Sequence, residues 1–350
     1  MESAVLVGLE SLDELRELAK SAGARIIDEV IQHRTRRDPA TYVGKGKLEE
    51  LRDELLIEGV DVVIFDDDLS PSQQKNIEQI LDTKVVDRTG LILDIFSRRA
   101  RTKEGKLQVE LAQLNYRLTR LTGYRDYLSR LGGGIGTRGP GETKLEMDRR
   151  QIRHRIATLR REIEQIRKHR QLHRERRRRD HLPLVSLVGY TNAGKSTLFR
   201  ALSKEDTLVS SRLFSTLDPL IRRIQVGRNF PVLISDTVGF IRKLPHLLVD
   251  AFRATLEEVV EADLILHVID ASDPDHEEKK EVVIGVLREI GAGTHPRLTV
   301  YNKADLLDEA DGFFLPDPEA LLVSAVTGQN LDRLVQEIVS RVGSPAASLK

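Results

Sequence analysis

Residues 189–196 read Gly189-Tyr190-Thr191-Asn192-Ala193-Gly194-Lys195-Ser196, the spacing G-x-x-x-x-G-K-[ST], set between an apolar run, Leu184–Val188, and a helix-compatible stretch, Thr197–Leu202. The order strand, glycine-bearing loop, helix N-terminus builds a phosphate cradle, because glycines let the backbone close until successive N–H groups face the oxygens of a polyphosphate. Lys195 adds a point charge for the β and γ phosphates, Ser196 supplies a hydroxyl for Mg²⁺, and Thr197 opens the helix whose N-terminus favours anions. The stretch therefore predicts an α/β domain that binds a nucleoside triphosphate.

The next motifs select the base. Val232–Ser235 reads as a short strand running into Asp236-Thr237-Val238-Gly239, where a strand-end aspartate can hold Mg²⁺ through water and the Gly239 N–H can meet the γ-phosphate. Leu298–Tyr301 runs into Asn302-Lys303-Ala304-Asp305. In this N-K-x-D tetrad the Asp305 carboxylate can accept from the N1 and N2 donors of guanine, which adenine lacks, so adenine leaves a buried carboxylate unpaired. Lys303 lies along the ring and Asn302 braces the loop. A further strand, Leu321–Val323, ends in Ser324-Ala325, placed to offer a backbone N–H to the guanine O6. Four motifs in this order, each at a strand end, resemble the translation-factor-related P-loop GTPases from residue 183 to about 342.

Composition fits this reading without specifying it. The 350 residues predict two or three domains, and Lys plus Arg balance Asp plus Glu at 55 each, so only the distribution of charge points to a partner. There is no cysteine, hence no disulfide framework, thiolate catalysis or zinc ribbon, and the nine histidines do not fall at metal-ligand spacings. No apolar segment reaches the roughly 18 residues of a bilayer span, and Met1-Glu2-Ser3 has no basic flank. The expected compartment is the cytoplasm, with peripheral membrane association left open, and the expected state is a monomer.

The first hundred residues (1–100) alternate strand-like runs at Val5–Leu9, Ile26–Ile31, Val60–Phe65 and Lys84–Val86 with helical stretches at Lys47–Ile57, Pro71–Leu81 and Leu91–Ser97. A further helix through Ser21 is expected to start with a capping box of Ser11 and Glu14, and Ser70 with Pro71 marks another start. Repeated βα units predict a small parallel α/β domain with helices on both faces. Tyr42-Val43-Gly44-Lys45-Gly46-Lys47 precedes a helix; a second phosphate or RNA-backbone contact is one reading, and a solvated turn the simpler one. Asp66-Asp67-Asp68 reads as an acidic strand-end loop.

From Lys106 the period changes. Leu107, Leu111, Leu114, Leu118 and Leu121 form one heptad seam, and Ile152, Ile156, Leu159, Ile163 and Ile166 a second. Gly-rich residues 132–143 separate them, so residues 101–182 predict an antiparallel helical hairpin with this loop at its tip. The second arm is crowded with Arg149, Arg150, Arg153, Arg155, Arg160, Arg161, Arg167, Lys168 and Arg170, then Arg174, Arg176, Arg177, Arg178 and Arg179. Few acids interrupt this run, which suits a phosphate backbone, and no DNA-reading motif competes with RNA.

With Gly139-Pro140-Gly141-Glu142-Thr143 between the glycine run and the basic arm, the chain resembles the HflX family of ribosome-associated GTPases over nearly its whole length. That resemblance implies an α/β amino-terminal domain, a helical hairpin and a GTPase domain over residues 183–350. It also implies binding of GTP and GDP and association with the large ribosomal subunit and its rRNA, with the hairpin directed toward the peptidyl-transferase region. GTP-dependent splitting or rescue of ribosomes under stress follows as the implied activity. Longer relatives carry an additional carboxyl-terminal domain, whereas this chain ends shortly after a helix at Leu331–Val342.

Within the loop, Gly133, Gly134, Gly139 and Gly141 with Arg138 and Pro140 are the candidate RNA contacts, since glycine lets backbone approach folded RNA closely. Thr216, in Phe214-Ser215-Thr216-Leu217, resembles the first switch of the family and is a second candidate Mg²⁺ ligand. Phe240 follows Gly239, where many GTPases place a water-orienting glutamine; it cannot orient water, so slow intrinsic turnover completed by a partner is expected. Asn192 has two readings, a K⁺ ligand that substitutes for an arginine finger or a residue that orders the loop. The competing class is an RNA-modifying or ATP-driven RNA-remodelling enzyme with a second nucleotide site in the amino-terminal domain; the missing cysteine, metal cluster and second Walker motif stand against it.

Overall fold

Parallel strands β1 (Ser3–Gly8), β2 (Arg25–Ile31), β3 (Val62–Phe65) and β4 (Lys84–Val86) form a sheet of order β2-β1-β3-β4. In this computed structural model the described residues are 1–33, 36–123, 140–180, 182–204, 213–214, 216–226, 230–243, 245, 248, 253–307 and 314–343. They divide into two units, Met1–Glu164 with Pro245–Ala251 and Gln165–Leu244 with Phe252–Lys350.

The central strands β1 and β3 are buried along their length, as an apolar run covered on both faces must be. Helix α1 (Asp13–Ala22) packs with α4 (Arg88–Arg99), and α2 (Lys45–Glu58) with α3 (Pro71–Leu81). Val5, Val7, Val63 and Phe65 join Leu48, Leu51 and Ile77 in one core. Ser70 caps α3 in a full capping box with Gln73, and Pro71 occupies a position where no N–H is needed. The box expected at Ser11 and Glu14 does not form: Leu12 stands at the cap position with no side-chain bond, Ser11 Oγ bonds the Asp13 carboxylate, and Glu14 pairs with Arg88. A buried guanidinium outcompetes a surface cap for that carboxylate.

Helix α5 (Lys103–Gly123) and helix α6 (Pro140–Arg179) are the two arms. Leu107 on the first seam and Ile156 and Leu159 on the second are buried, and Arg155 donates twice to Glu110 at 2.7 and 2.9 Å across the arms. Another face of α5 docks on the α/β core, where Tyr116 Oη donates to Asp87 at 2.5 Å and Arg120 reaches Asp87 and Gln74. Gly132–Gly139 lies outside the described residues. Residues 140–143, expected in the loop, form the first turn of α6, and Pro140 at its first position explains the start.

The second unit holds β5 (Leu184–Gly189), β6 (Leu220–Val226), β7 (Phe230–Asp236), β8 (Leu264–Asp270), β9 (Arg297–Asn302) and β10 (Leu321–Leu322), in the order β10-β9-β8-β5-β7-β6. All neighbours run parallel except β6 on β7. Helices α7 (Lys195–Ser203), α8 (Arg253–Val260), α9 (His276–Glu289) and α10 (Leu331–Val342) flank it. Because β5, β7, β8 and β9 are parallel, Gly189, Asp236, Asp270 and Asn302 emerge at one edge of the sheet. That edge is where α/β sheets bind ligands.

Candidate functional site: a phosphate loop facing two switch segments and a base-reading loop

The turn from β5 into α7 needs a left-handed residue at Gly194 (φ 88°), and a Cβ there would lie 2.2 Å from Asn302 Nδ2. Only glycine lets the N-K-x-D loop approach the phosphate loop this closely. Asn302 uses the proximity fully: Nδ2 donates to Ala193 O at 3.0 Å, and Oδ1 accepts from the Ala325 N–H at 3.0 Å. One side chain thus joins the phosphate loop to the loop after β10. The Ala325 N–H, expected to face a base oxygen, is donated to Asn302 instead, and the Ser324 N–H goes to Gln329 O.

Lys195 is buried, and its ammonium donates to Gly189 O at 3.0 Å and Tyr190 O at 2.6 Å. Burial pulls its pKa down to about 8, against the opposing attraction of Asp236. Ser196 Oγ and Thr216 Oγ1 converge on Asp236 Oδ2 at 2.6 and 2.9 Å and stand 2.9 Å from each other. The structure therefore brings together Ser196, Thr216 and Asp236, which come from three separate stretches of sequence. Burial pushes the Asp236 carboxyl up despite the hydroxyls of Ser196 and Thr216 and the Lys195 charge, and its Oδ1 is buried without a hydrogen-bond partner. An uncompensated carboxylate oxygen beside two hydroxyls is a donor set for a hard divalent cation, so the residues fit Mg²⁺. Thr237 hydroxyl turns inward to Leu187 O at 2.6 Å, and Val238 is buried, so these two shape the segment rather than line it with polar groups.

Phe240 is buried, and its backbone bridges to the phosphate loop: its N–H donates to Gly189 O at 3.2 Å and its carbonyl accepts from Thr191 N at 2.8 Å. Asn192 is exposed with a left-handed backbone (φ 63°), a conformation asparagine tolerates better than most residues. In the base loop, Lys303 donates to Asp270 Oδ2 at 2.5 Å, and Asp305 Oδ1 accepts from Ser324 Oγ at 2.5 Å. Asp270, at the end of β8, was not among the expected residues, although an aspartate closing the apolar run from Leu264 was a readable signal. His267 on β8 was also missed. It shares a pocket with Tyr190 and Thr191, both its ring nitrogens lack partners, and burial drives its pKa to about 3, so it is neutral.

The candidate RNA contacts fare differently. Gly133, Gly134, Arg138 and Gly139 lie outside the described residues, as do the side chains of Pro140, Arg174, Arg176, Arg177 and Arg178, while Arg179 is exposed. Several arm cations are engaged within the protein: Arg155 holds Glu110, and Arg167 and Arg170 both hold Glu257 at 3.3 and 3.1 Å. The Tyr42–Lys47 turn is also internally satisfied. Tyr42 is buried with its hydroxyl on Asp67 at 2.6 Å, the Gly44 N–H goes to Gln32, and Lys45 and Lys47 pair with Glu49 and Glu50. The triple aspartate is a structural cluster, with Asp66 on Arg88, Asp67 on Arg37 and Asp68 on Thr89. Among the described residues no group of histidine and acidic side chains is arranged to hold a metal ion by itself, and no helix is long and apolar enough to cross a membrane.

Phosphate loop, hydroxyl–carboxylate cluster and N-K-x-D loop on one sheet edge define a P-loop GTPase, and the family model of a 50S ribosome-binding GTPase matches residues 184–303. Models of the GTP-binding GTPase N-terminal region and of its middle region match 9–97 and 99–177. The GTPase HflX of Caldanaerobacter subterraneus subsp. tengcongensis is 53% identical over 344 residues, covering 96% of this chain and 80% of the relative. That of Escherichia coli is 46% identical over 343 residues, covering 97% and 80%. The chain belongs to the GTPase HflX family. Among solved structures, a GTP-binding protein from Sulfolobus solfataricus in complex with GDP superposes with a TM-score of 0.50 at 26% identity, covering 98% of this chain and 99% of that one. The SsGBP complex with GDP gives a TM-score of 0.55 at 26% identity over the same shares.

Proposed function

We propose that this GTPase is a GTP-timed switch that works on the large ribosomal subunit and splits or rescues ribosomes under stress. The observation that carries the reading is Phe240. The residues read as holding guanine, phosphates and a divalent ion lie at one edge of the sheet, yet the position that should align water carries a buried phenyl ring. A site complete for binding and incomplete for hydrolysis suits activation in trans. The 50S ribosome-binding model and the HflX relatives support the large subunit as the activator. Nothing in the internally satisfied Tyr42–Lys47 turn favours the alternative of a second nucleotide site there.

In this reading the N–H groups of Gly189, Tyr190, Ala193, Gly194 and Thr197 and the Lys195 ammonium bind the phosphates, and Thr191, whose N–H is donated to Phe240 O, shapes the loop around them. Ser196 and Thr216 hold Mg²⁺ directly and Asp236 through water, and the ion neutralises charge on the phosphoryl oxygens when bound. Gly239 offers its N–H to the γ-phosphate. Asp305 accepts from the base, Lys303 lies against it, Asn302 fixes both loops, and Ser324 orients Asp305. The left-handed backbone alone accounts for asparagine at 192; we add K⁺ as a ligand of its exposed amide. RNA contact falls to the glycine-rich tip and to Arg174 and Arg176–Arg179.

The test is a turnover series on the full chain against concentration of purified large subunits, run in K⁺ and in Na⁺. Slow hydrolysis alone and acceleration of at least about a thousandfold are expected, the low end of what trans-acting partners achieve. Deleting 132–141 should lower the stimulation and leave GTP affinity intact, because the loop lies outside the nucleotide site. Fast hydrolysis without subunits, or no response to them, would refute the ribosome-activated switch.

A further inference from the structure

Lys303 follows the last residue of β9 with a left-handed backbone (φ 67°), a conformation that lysine seldom adopts and that its surroundings must impose. From that backbone its ammonium reaches one carboxylate oxygen, Asp270 Oδ2, at 2.5 Å. Among the described residues the ammonium has no other partner.

Sheet register accounts for the meeting. Asp270 closes β8 opposite Asn302, and the Ala271 N–H donates to Asn302 O at 2.9 Å, so the residue after Asn302 stands beside the carboxylate. The other oxygen of Asp270 is committed to its own turn: Oδ1 accepts from the Ser272 N–H at 3.0 Å and from the Ser272 hydroxyl at 2.7 Å. A carboxylate fixed through one oxygen by a local turn presents the second in one direction. Both charged side chains are largely out of water, 22% exposed for Lys303 and 16% for Asp270, so the pair is better held than an ion pair in open solvent. Asp273, the next acid along the turn, lies within reach of the Lys303 charge but bonds the Lys279 ammonium and the Asp275 N–H.

We propose that Asp270 is a positioning residue for guanine-nucleotide binding. Acting through Lys303, it fixes in advance the alkyl stem that lies along the base, so that binding does not have to order a flexible lysine. The proposal rests on the N-K-x-D reading given above. Because Lys303 lies along the ring and not at its N1 and N2 edge, Asp270 acts on affinity for the base and leaves the choice among purines to Asp305.

The experiment uses the full chain with Asp270→Asn, with Lys303→Met and with both changes. Calorimetry gives the affinities for GDP, for inosine diphosphate, which lacks the N2 amine, and for inorganic tripolyphosphate, which has no base. Ordering one long side chain on binding corresponds to about three- to tenfold in affinity. Asp270→Asn should therefore weaken GDP and inosine diphosphate by the same factor in that range and leave tripolyphosphate unchanged. On the Lys303→Met background the same change should have no effect on GDP. Unchanged or tighter GDP binding by Asp270→Asn, an equal loss for tripolyphosphate, or the same loss on the Lys303→Met background would overturn the role. If Asp270→Asn fails to fold, nitrogen NMR of the wild-type lysine ammonium groups decides, with the Lys303 signal assigned by its loss in Lys303→Met. An ordered Lys303 ammonium in the nucleotide-free protein is expected, and a mobile one overturns the proposal. Wild type that binds no guanine nucleotide, or Lys303→Met that binds GDP as wild type does, overturns instead the reading of the loop on which the proposal rests.

Discussion

Asp305 and Lys195 show how much of the chemistry rests on single atoms. Asp305 accepts from Ser324 through one oxygen, and on the proposed reading its carboxylate meets the base, so Asp305→Asn replaces an acceptor by a donor opposite two donors. Loss of two charge-assisted bonds predicts at least about a hundredfold weaker GTP binding, with preference moving to xanthine nucleotides; competition binding measures both. Unchanged GTP affinity would remove Asp305 from the base site. Lys195, with its pKa near 8, gives two opposite pH dependences. Phosphates bind the protonated ammonium, so nucleotide affinity should fall as pH rises through about 8. The unfolded chain holds that proton up to about 10.4, so the nucleotide-free protein should gain stability between about pH 8 and 10 relative to Lys195→Met. Affinity titrations and denaturant melts across that window check the pair of signs; slopes of the same sign would show that Lys195 does not govern both.

At the scale of elements, the α/β amino-terminal sheet is tied together at its carboxyl edge by buried charge. Arg88 is 2% exposed and joins Asp66, after β3, at 2.7 Å to Glu14, at the start of α1. Asp87 caps α4 by accepting from Gly90 N at 2.8 Å and also takes Tyr116 and Arg120 from α5, which fixes the first arm to the domain. Removing one partner leaves the others charged and desolvated, so Arg88→Ala should destabilise the amino-terminal unit by about 3 to 5 kcal/mol in urea melts. A loss under about 1 kcal/mol would place the cluster in effective contact with water. Sequence periodicity located these strands and helices within a few residues, because apolar alternation and caps are local. It missed the Glu14–Arg88 pair, which joins residues 74 positions apart.

At the scale of the whole molecule, the 40-residue α6 is about 60 Å of helix carrying cations, too much charge for a core. With Arg155, Arg167 and Arg170 engaged by Glu110 and Glu257, the phosphate-binding capacity is expected at Arg174 and Arg176–Arg179. Changing those five to glutamine should weaken binding to large subunits and flatten its dependence on salt, by about 0.7 to 0.9 in the log–log slope for each phosphate no longer neutralised. Affinities at several salt concentrations give the slope directly, and an unaltered slope would make the run a solvated face.

The chain's own letters determined the phosphate loop, the guanine tetrad, the strand-end aspartate and the paired heptads, because each is a local pattern whose chemistry depends on spacing along a few residues. Tertiary structure alone decided which of them meet. Ser196, Thr216 and Asp236 share one oxygen cluster, Asn302 bonds the phosphate loop 109 positions away, and Phe240 lies with its backbone on that loop and its ring in the core. The same holds for the charges: a count of arginines does not tell which of them Glu110 and Glu257 neutralise. Long-range pairing is set by sheet order and burial, and these emerge only when parallel strands bring distant loops to one edge.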